Sequence, residues 1–133
     1  MRLYEIFQDD EYWPTNLKLS QRYRNPLDPR TGELNPGFKD DEHIPNMELA
    51  DEIDSLIDQG IKPEVVRVPI DQLHATQDWL SSYGSGEDTF PDYTDLPVVL
   101  KMGPDLIIVD GHHRISSKAK AGKQFVEVYL FKV

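Results

Sequence analysis

The sequence predicts an α+β domain: a small mixed β-sheet with flanking helices. Three observations predict it. Short apolar or alternating runs bounded by turn residues recur through the second half of the chain, as strands do. The stretch from Asn46 to Gly60 carries apolar residues at helical spacing. A third stretch, Leu106-Ile107-Ile108-Val109, ends in Asp110-Gly111-His112-His113-Arg114 and runs into a second helical segment.

The composition narrows the class. The chain has 133 residues, enough for one domain with a real core. The longest unbroken apolar run is Leu106 to Val109, far short of a membrane span. The start, Met1-Arg2-Leu3-Tyr4-Glu5, lacks the basic and apolar regions of a secretory signal, and a cytoplasmic location is the expectation. With no cysteine, disulfides, thiolate catalysis and Cys-ligated zinc are excluded. There are 14 Lys and Arg against 24 Asp and Glu, a net charge of -10. Non-specific DNA binding works by neutralising phosphates, so duplex DNA is not expected as a tight partner. Lys118, Lys120 and Lys123 after Arg114 form a local basic spot or a solvated helix face.

The elements are expected in the following order. Residues 1–45 form an irregular N-terminal extension rich in Pro, Asn, Asp and Gly. Its aromatics, Tyr4, Phe7, Tyr12, Trp13, Tyr23 and Phe38, are too many for a disordered tail, so it packs on the core, residues 46–133, and offers a surface for a protein partner. Asn25 to Gly37 reads as a loop, with a hairpin at Thr31-Gly32 as the alternative. Asn46 is the expected cap of the first helix; Leu49, Ile53, Leu56 and Ile57 face inward, and Gly60 stops it. Glu48, Asp51, Glu52, Asp54 and Asp58 make a solvated acidic face. Val65 to Ile70 is a strand, His74 to Ser82 a short helix burying Trp79 and Leu80, and Tyr83 to Pro91 a flexible loop. Leu96 to Lys101 and Leu106 to Val109 form a hairpin across Gly103-Pro104-Asp105. Arg114 to Ala121 is a helix ended by Gly122. Phe125 to Phe131 alternates as a strand.

The turn at Asp110 carries the chemistry. A strand that feeds a glycine turn and a helix start suits an anion, because N–H groups of the first helical turn lie outside the helix ladder and the dipole is positive there. Imidazole and guanidinium groups beside it suit phosphate. Asp110 can cap the helix, orient a histidine or touch a metal. Adjacent histidines point in different directions, so one of His112 and His113 faces the site and handles a proton while the other satisfies the fold. Arg114 either clamps an anion or joins a buried ion pair with Glu64 or Asp71. Ser116 offers a hydroxyl to phosphate, and Ser117 lies along the helix. Any divalent cation would be Mg2+ or Mn2+, which accept oxygen ligands.

The DGHHR segment, Val65-Val66-Arg67-Val68-Pro69-Ile70-Asp71-Gln72-Leu73-His74-Ala75-Thr76-Gln77 and Asp95-Leu96-Pro97-Val98-Val99-Leu100-Lys101 together resemble the ParB/sulfiredoxin-like superfamily. More narrowly they resemble its small ParB-like nuclease-type domains. The resemblance covers about Glu64 to Val133. It implies a pocket between the first box and the turn, lined by Gly111, His112, His113 and Arg114, with Gln77 as a ligand contact. Sulfiredoxin-type reduction needs a cysteine in the turn and is excluded. The resemblance implies a nucleotide ligand, ATP or CTP. The activity is then that of a metal-dependent nucleotide hydrolase or a phosphotransferase, the latter using Glu64 or Asp71 as its carboxylate. A metal-dependent nuclease and a non-catalytic acidic interaction or inhibitor protein of phage type are the alternatives.

Overall fold

The computed structural model describes residues 11–23, 45–77, 79–80 and 90–133; for residues 11–12, 45–47 and 79–80 this covers the backbone alone. The expected loops at Asn25–Gly37 and Tyr83–Pro91 fall almost wholly outside these residues, as does the burial of Trp79 and Leu80. Short strands β1 (Glu11–Tyr12) and β2 (Lys18–Leu19) come first, followed by helix α1 (Pro45–Asp58) and strand β3 (Glu64–Pro69). A 3-10 turn (Ile70–Gln72) leads into β4 (Leu73–Ala75), β5 (Trp79–Leu80), β6 (Val98–Met102) and β7 (Asp105–Asp110). Helix α2 (His112–Lys120) and strand β8 (Phe125–Lys132) complete the order.

Six strands form one mixed sheet in the order β2-β4-β7-β6-β8-β3, and β1 pairs with β5 apart from it. The β6–β7 hairpin is as expected, with Leu100 opposite Ile107. β3 lies antiparallel to β8, β6 parallel to β8, and β4 parallel to β7. Helices cover both faces. Leu49, Ile53 and Leu56 of α1 cluster with Val98, Leu100, Ile107 and Phe131. Ile115 of α2 clusters with Val99, Ile108, Val126 and Val128 on the other face. Successive residues of β6 therefore serve opposite cores. A central strand covered on both sides reads as a continuous apolar run, as Val98-Val99-Leu100 does. β8, covered on one face along its first half, keeps a clear alternation: Val126, Val128 and Leu130 are buried while Phe125 and Glu127 are exposed.

Several expectations need correction. α1 starts at Pro45, a residue suited to the first helical position, so Asn46 lies inside the helix and does not cap it. The stretch from His74 is not a helix: β4 ends at Ala75 and β5 follows at Trp79. α2 begins two residues before Arg114, at His112. Its end is a Schellman motif, with Lys123 N–H on Lys118 O at 3.0 Å and Gly122 N–H on Ala119 O at 3.0 Å.

The segment around β2 is ordered against the core. Trp13 and Tyr23 are buried. Trp13 Nε1 donates to Lys18 O at 3.0 Å, and Ser20 N–H donates to Ala75 O at 2.8 Å. β2 thereby becomes an edge strand, parallel to β4. The other edge, β3, carries Glu64 and Arg67 and ends in Pro69, features that discourage edge-to-edge pairing. Among the described residues no helix is long and apolar enough to cross a membrane.

Candidate functional site

β7 runs out of the sheet at Asp110, which lies opposite Val98. Gly111 then occupies the N-cap position of α2 with φ 95°, a left-handed conformation open mainly to glycine. Asp110 is therefore not the cap residue. A Cβ on Gly111 would lie 2.8 Å from Pro97 Cβ and 2.9 Å from Pro97 Cα. Pro97 cannot withdraw easily, because its carbonyl accepts from Tyr129 N–H at 2.8 Å. Two demands, backbone sign and close approach, thus explain this glycine within the fold.

The two histidines differ in environment: His112 is buried and His113 is half-buried. His112 is buried at the start of α2, its ring edge-on to Trp13 with centroids 5.9 Å apart. Its Nε2 accepts the backbone N–H of Thr76 at 3.1 Å. The Thr76 hydroxyl lies 3.3 Å from the same nitrogen and 3.4 Å from Ile108 O. Nε2 has one lone pair, taken by the amide, so the hydroxyl proton goes to the carbonyl. The ring is then neutral with its proton on Nδ1. Burial, with a smaller contribution from the neighbouring His113 charge, lowers the His112 pKa from 6.5 to about 3. A group so held is a structural staple between β4 and the α2 terminus. It is unsuited to exchanging protons near neutral pH.

His113 is half-buried, as is Asp110, and Arg114 is exposed. An exposed Arg114 is not the buried ion-pair residue considered above, and Glu64 instead pairs with Lys132 at 3.3 Å. Glu64 also lies three strands from β7, on the order of 14 Å. Asp71 borders a cavity at the C-terminal end of α2. Neither acid sits at the turn as a phosphotransfer carboxylate. Ser116 is fully buried with no hydrogen-bond partner among the described residues, so its hydroxyl faces packed protein and not the open side of the turn. Gln77 is half-buried and follows Thr76, the residue that does touch the turn. His74 approaches Asp105 at 3.7 Å.

Sequence reasoning missed Thr76, Pro97 and Trp13 as the residues that shape this turn. Nothing local in the sequence marks them. For His112 a signal existed: His112, Ile115, Ser116 and Ala119 recur at i, i+3, i+4 and i+7, the inward stripe of α2. Among the described residues no group of three or more His, Cys, Asp or Glu could hold a metal ion. Comparison with protein-family models, with curated proteins and with solved structures finds no match.

Proposed function

We propose that the turn between β7 and α2 binds the phosphate of a nucleotide, ATP or CTP. The observation that carries the proposal is the geometry at Gly111. A left-handed glycine ends a strand and opens a helix whose first turn holds a half-buried imidazole, His113, and an exposed guanidinium, Arg114. N–H groups at such a helix start lie outside its own ladder, and the dipole favours negative charge. Arg114 adds a charge-assisted contact. The ParB/sulfiredoxin-like resemblance is part of the same proposal, and the Thr76–His112 bond supports it by joining the first box to the turn.

If the bound nucleotide or an oligonucleotide is hydrolysed, His113 is the proton-handling group and Asp110 its neighbour. His112 is withdrawn into the staple. Among the described residues the side chains do not by themselves assemble a cage for Mg2+ or Mn2+.

The test is thermal denaturation with ATP and with CTP, in Mg2+ and in chelator, on wild type and on Arg114→Ala. The expected result is a nucleotide-dependent rise in Tm that Arg114→Ala abolishes while leaving the unliganded Tm unchanged. Turnover of nucleotide or of a short single strand that persists in His113→Ala removes His113 from the chemistry. A flat response to both nucleotides defeats the proposal. It leaves the non-catalytic acidic interaction protein in front, a reading favoured by the net charge of -10 and the acidic outer face of α1.

A further inference from the structure

α2 spans nine residues, roughly 13 Å of helix. At the end away from the Gly111 turn lies a cavity of about 410 Å3 that the phosphate proposal does not use. Its size is that of a small-molecule pocket. Leu17, Ile70 and Ala119 supply an apolar floor, and Phe125 a wall. Phe125 is 42% exposed, and the Arg67 guanidinium lies over its ring at 4.6 Å from the centroid. Two opposite charges, Asp71 and Lys123, stand on the rim.

The backbone sets where the two charged residues start. The β3–β8 ladder ends with Pro69 opposite Phe125. One step further, Ile70 N–H donates to Gln124 O at 2.9 Å. Asp71 and Lys123 flank that bond, one on each chain segment. Lys123 is also tied down by its own N–H on Lys118 O. Yet the two charges do not close on each other. Among the described residues neither forms an ion pair, and Asp71 accepts only a long contact of 3.5 Å from Gln72 Nε2. A carboxylate and an ammonium thus stand on one rim above an apolar floor, and among the described residues neither is spent on an ion pair.

We infer that this cavity binds a small zwitterion with an aliphatic side chain. The ligand's ammonium pairs with Asp71, its carboxylate with Lys123, and its side chain covers Leu17 and Ile70. A simple cation gains Asp71 but meets Lys123 as a like charge, and a simple anion meets the reverse. A molecule carrying both signs a few bonds apart satisfies Asp71 and Lys123 together. Both groups are solvent-exposed, so each contact is worth little and binding is weak.

The probe is L-leucine, titrated into 15N-labelled protein. Leucinamide lacks the carboxylate and 4-methylpentanoate lacks the ammonium. Saturable shifts confined to the amides of Leu17, residues 70–72 and residues 119–125 are expected with leucine. Each analogue should bind about 1.5- to fivefold more weakly, the range for losing one exposed ion pair. Asp71→Asn and Lys123→Gln should each weaken leucine by a similar factor. Both positions are exposed, and the spectrum itself reports whether the variant is folded. Two results overturn the inference: leucine shifts spread evenly over the surface, or equal binding of leucine and either analogue. Arg114→Ala should leave leucine binding unchanged, so this site and the phosphate site fail or succeed separately.

Discussion

Acidification should unfold this protein through His112 well before that residue titrates in the native state. The sign follows from the two protonation states. The folded pKa is about 3 and the unfolded value is 6.5. Between these values the unfolded chain binds a proton that the folded chain does not. Stability is therefore complete above the unfolded pKa and falls with falling pH until the folded pKa is reached. Each pH unit inside that window costs about 1.4 kcal/mol, so His112 alone removes about 2 kcal/mol by pH 5 and about 3 kcal/mol by pH 4. The structure supplies the cause. A protonated Nε2 becomes a donor facing the Thr76 N–H donor 3.1 Å away, in a site closed by Trp13. The assay is urea denaturation at half-unit pH steps from 7.5 to 4, on wild type and on His112→Gln. Glutamine keeps an acceptor for the Thr76 amide and does not titrate. It is expected to be less stable at neutral pH, since the contact with Trp13 is lost, but to show a shallower decline in acid. The difference between the two curves isolates His112 from the protein's many carboxylates. Parallel curves would refute the reasoning.

Other substitutions have defined outcomes. Gly111→Ala should cost about 2 kcal/mol or more, from the left-handed backbone and the Pro97 contact combined, as read by chemical denaturation. Ser116→Ala should stabilise by about 1 kcal/mol, because a buried hydroxyl without a partner is replaced by a methyl in a helix; a loss of that size would mean the hydroxyl has a partner after all. Arg114→Ala should leave stability within about 0.5 kcal/mol, as for exposed positions generally, while nucleotide affinity falls by roughly 1.5–3 kcal/mol in calorimetry. Random duplex DNA should show no sub-micromolar binding by fluorescence anisotropy at physiological salt, because few phosphates can be neutralised.

The parts of this fold that were legible in the sequence are those whose pattern is local. The inward face of α1, the β6–β7 hairpin and the alternation of β8 each follow from spacing over a handful of residues. β1, β2 and β5 were not legible, because strands of two residues carry no period and exist only by pairing with distant partners. The His74 stretch is extended for the same reason: its neighbours across the sheet, Leu106 and Ile107, decide it. At the site, the strand, the glycine turn and the helix were readable as a unit. Which histidine faces inward was not read, because it depends on the phase of α2. A helix counted from Arg114 lacks the first residue of the stripe, His112. Thr76 and Pro97 act through contacts across the fold, and a linear reading has no access to those.

The parallel pairing of β2 with β4 has a kinetic consequence. Lys18 meets His74 and Leu19 meets Ala75 only after a long span of chain has been brought round. Closing such a loop costs entropy that two residue pairs barely repay, whereas the β6–β7 hairpin closes through a short turn and can form within microseconds. The segment from Trp13 to Ser20 should therefore dock late in folding and detach first from the native state, as an opening unit of its own. Amide exchange at Leu19 and Ser20 would then be faster than at Val99 or Ile108. Each such opening would uncover the Trp13 side of the His112 ring, so solvent reaches the buried imidazole at the rate this strap lifts.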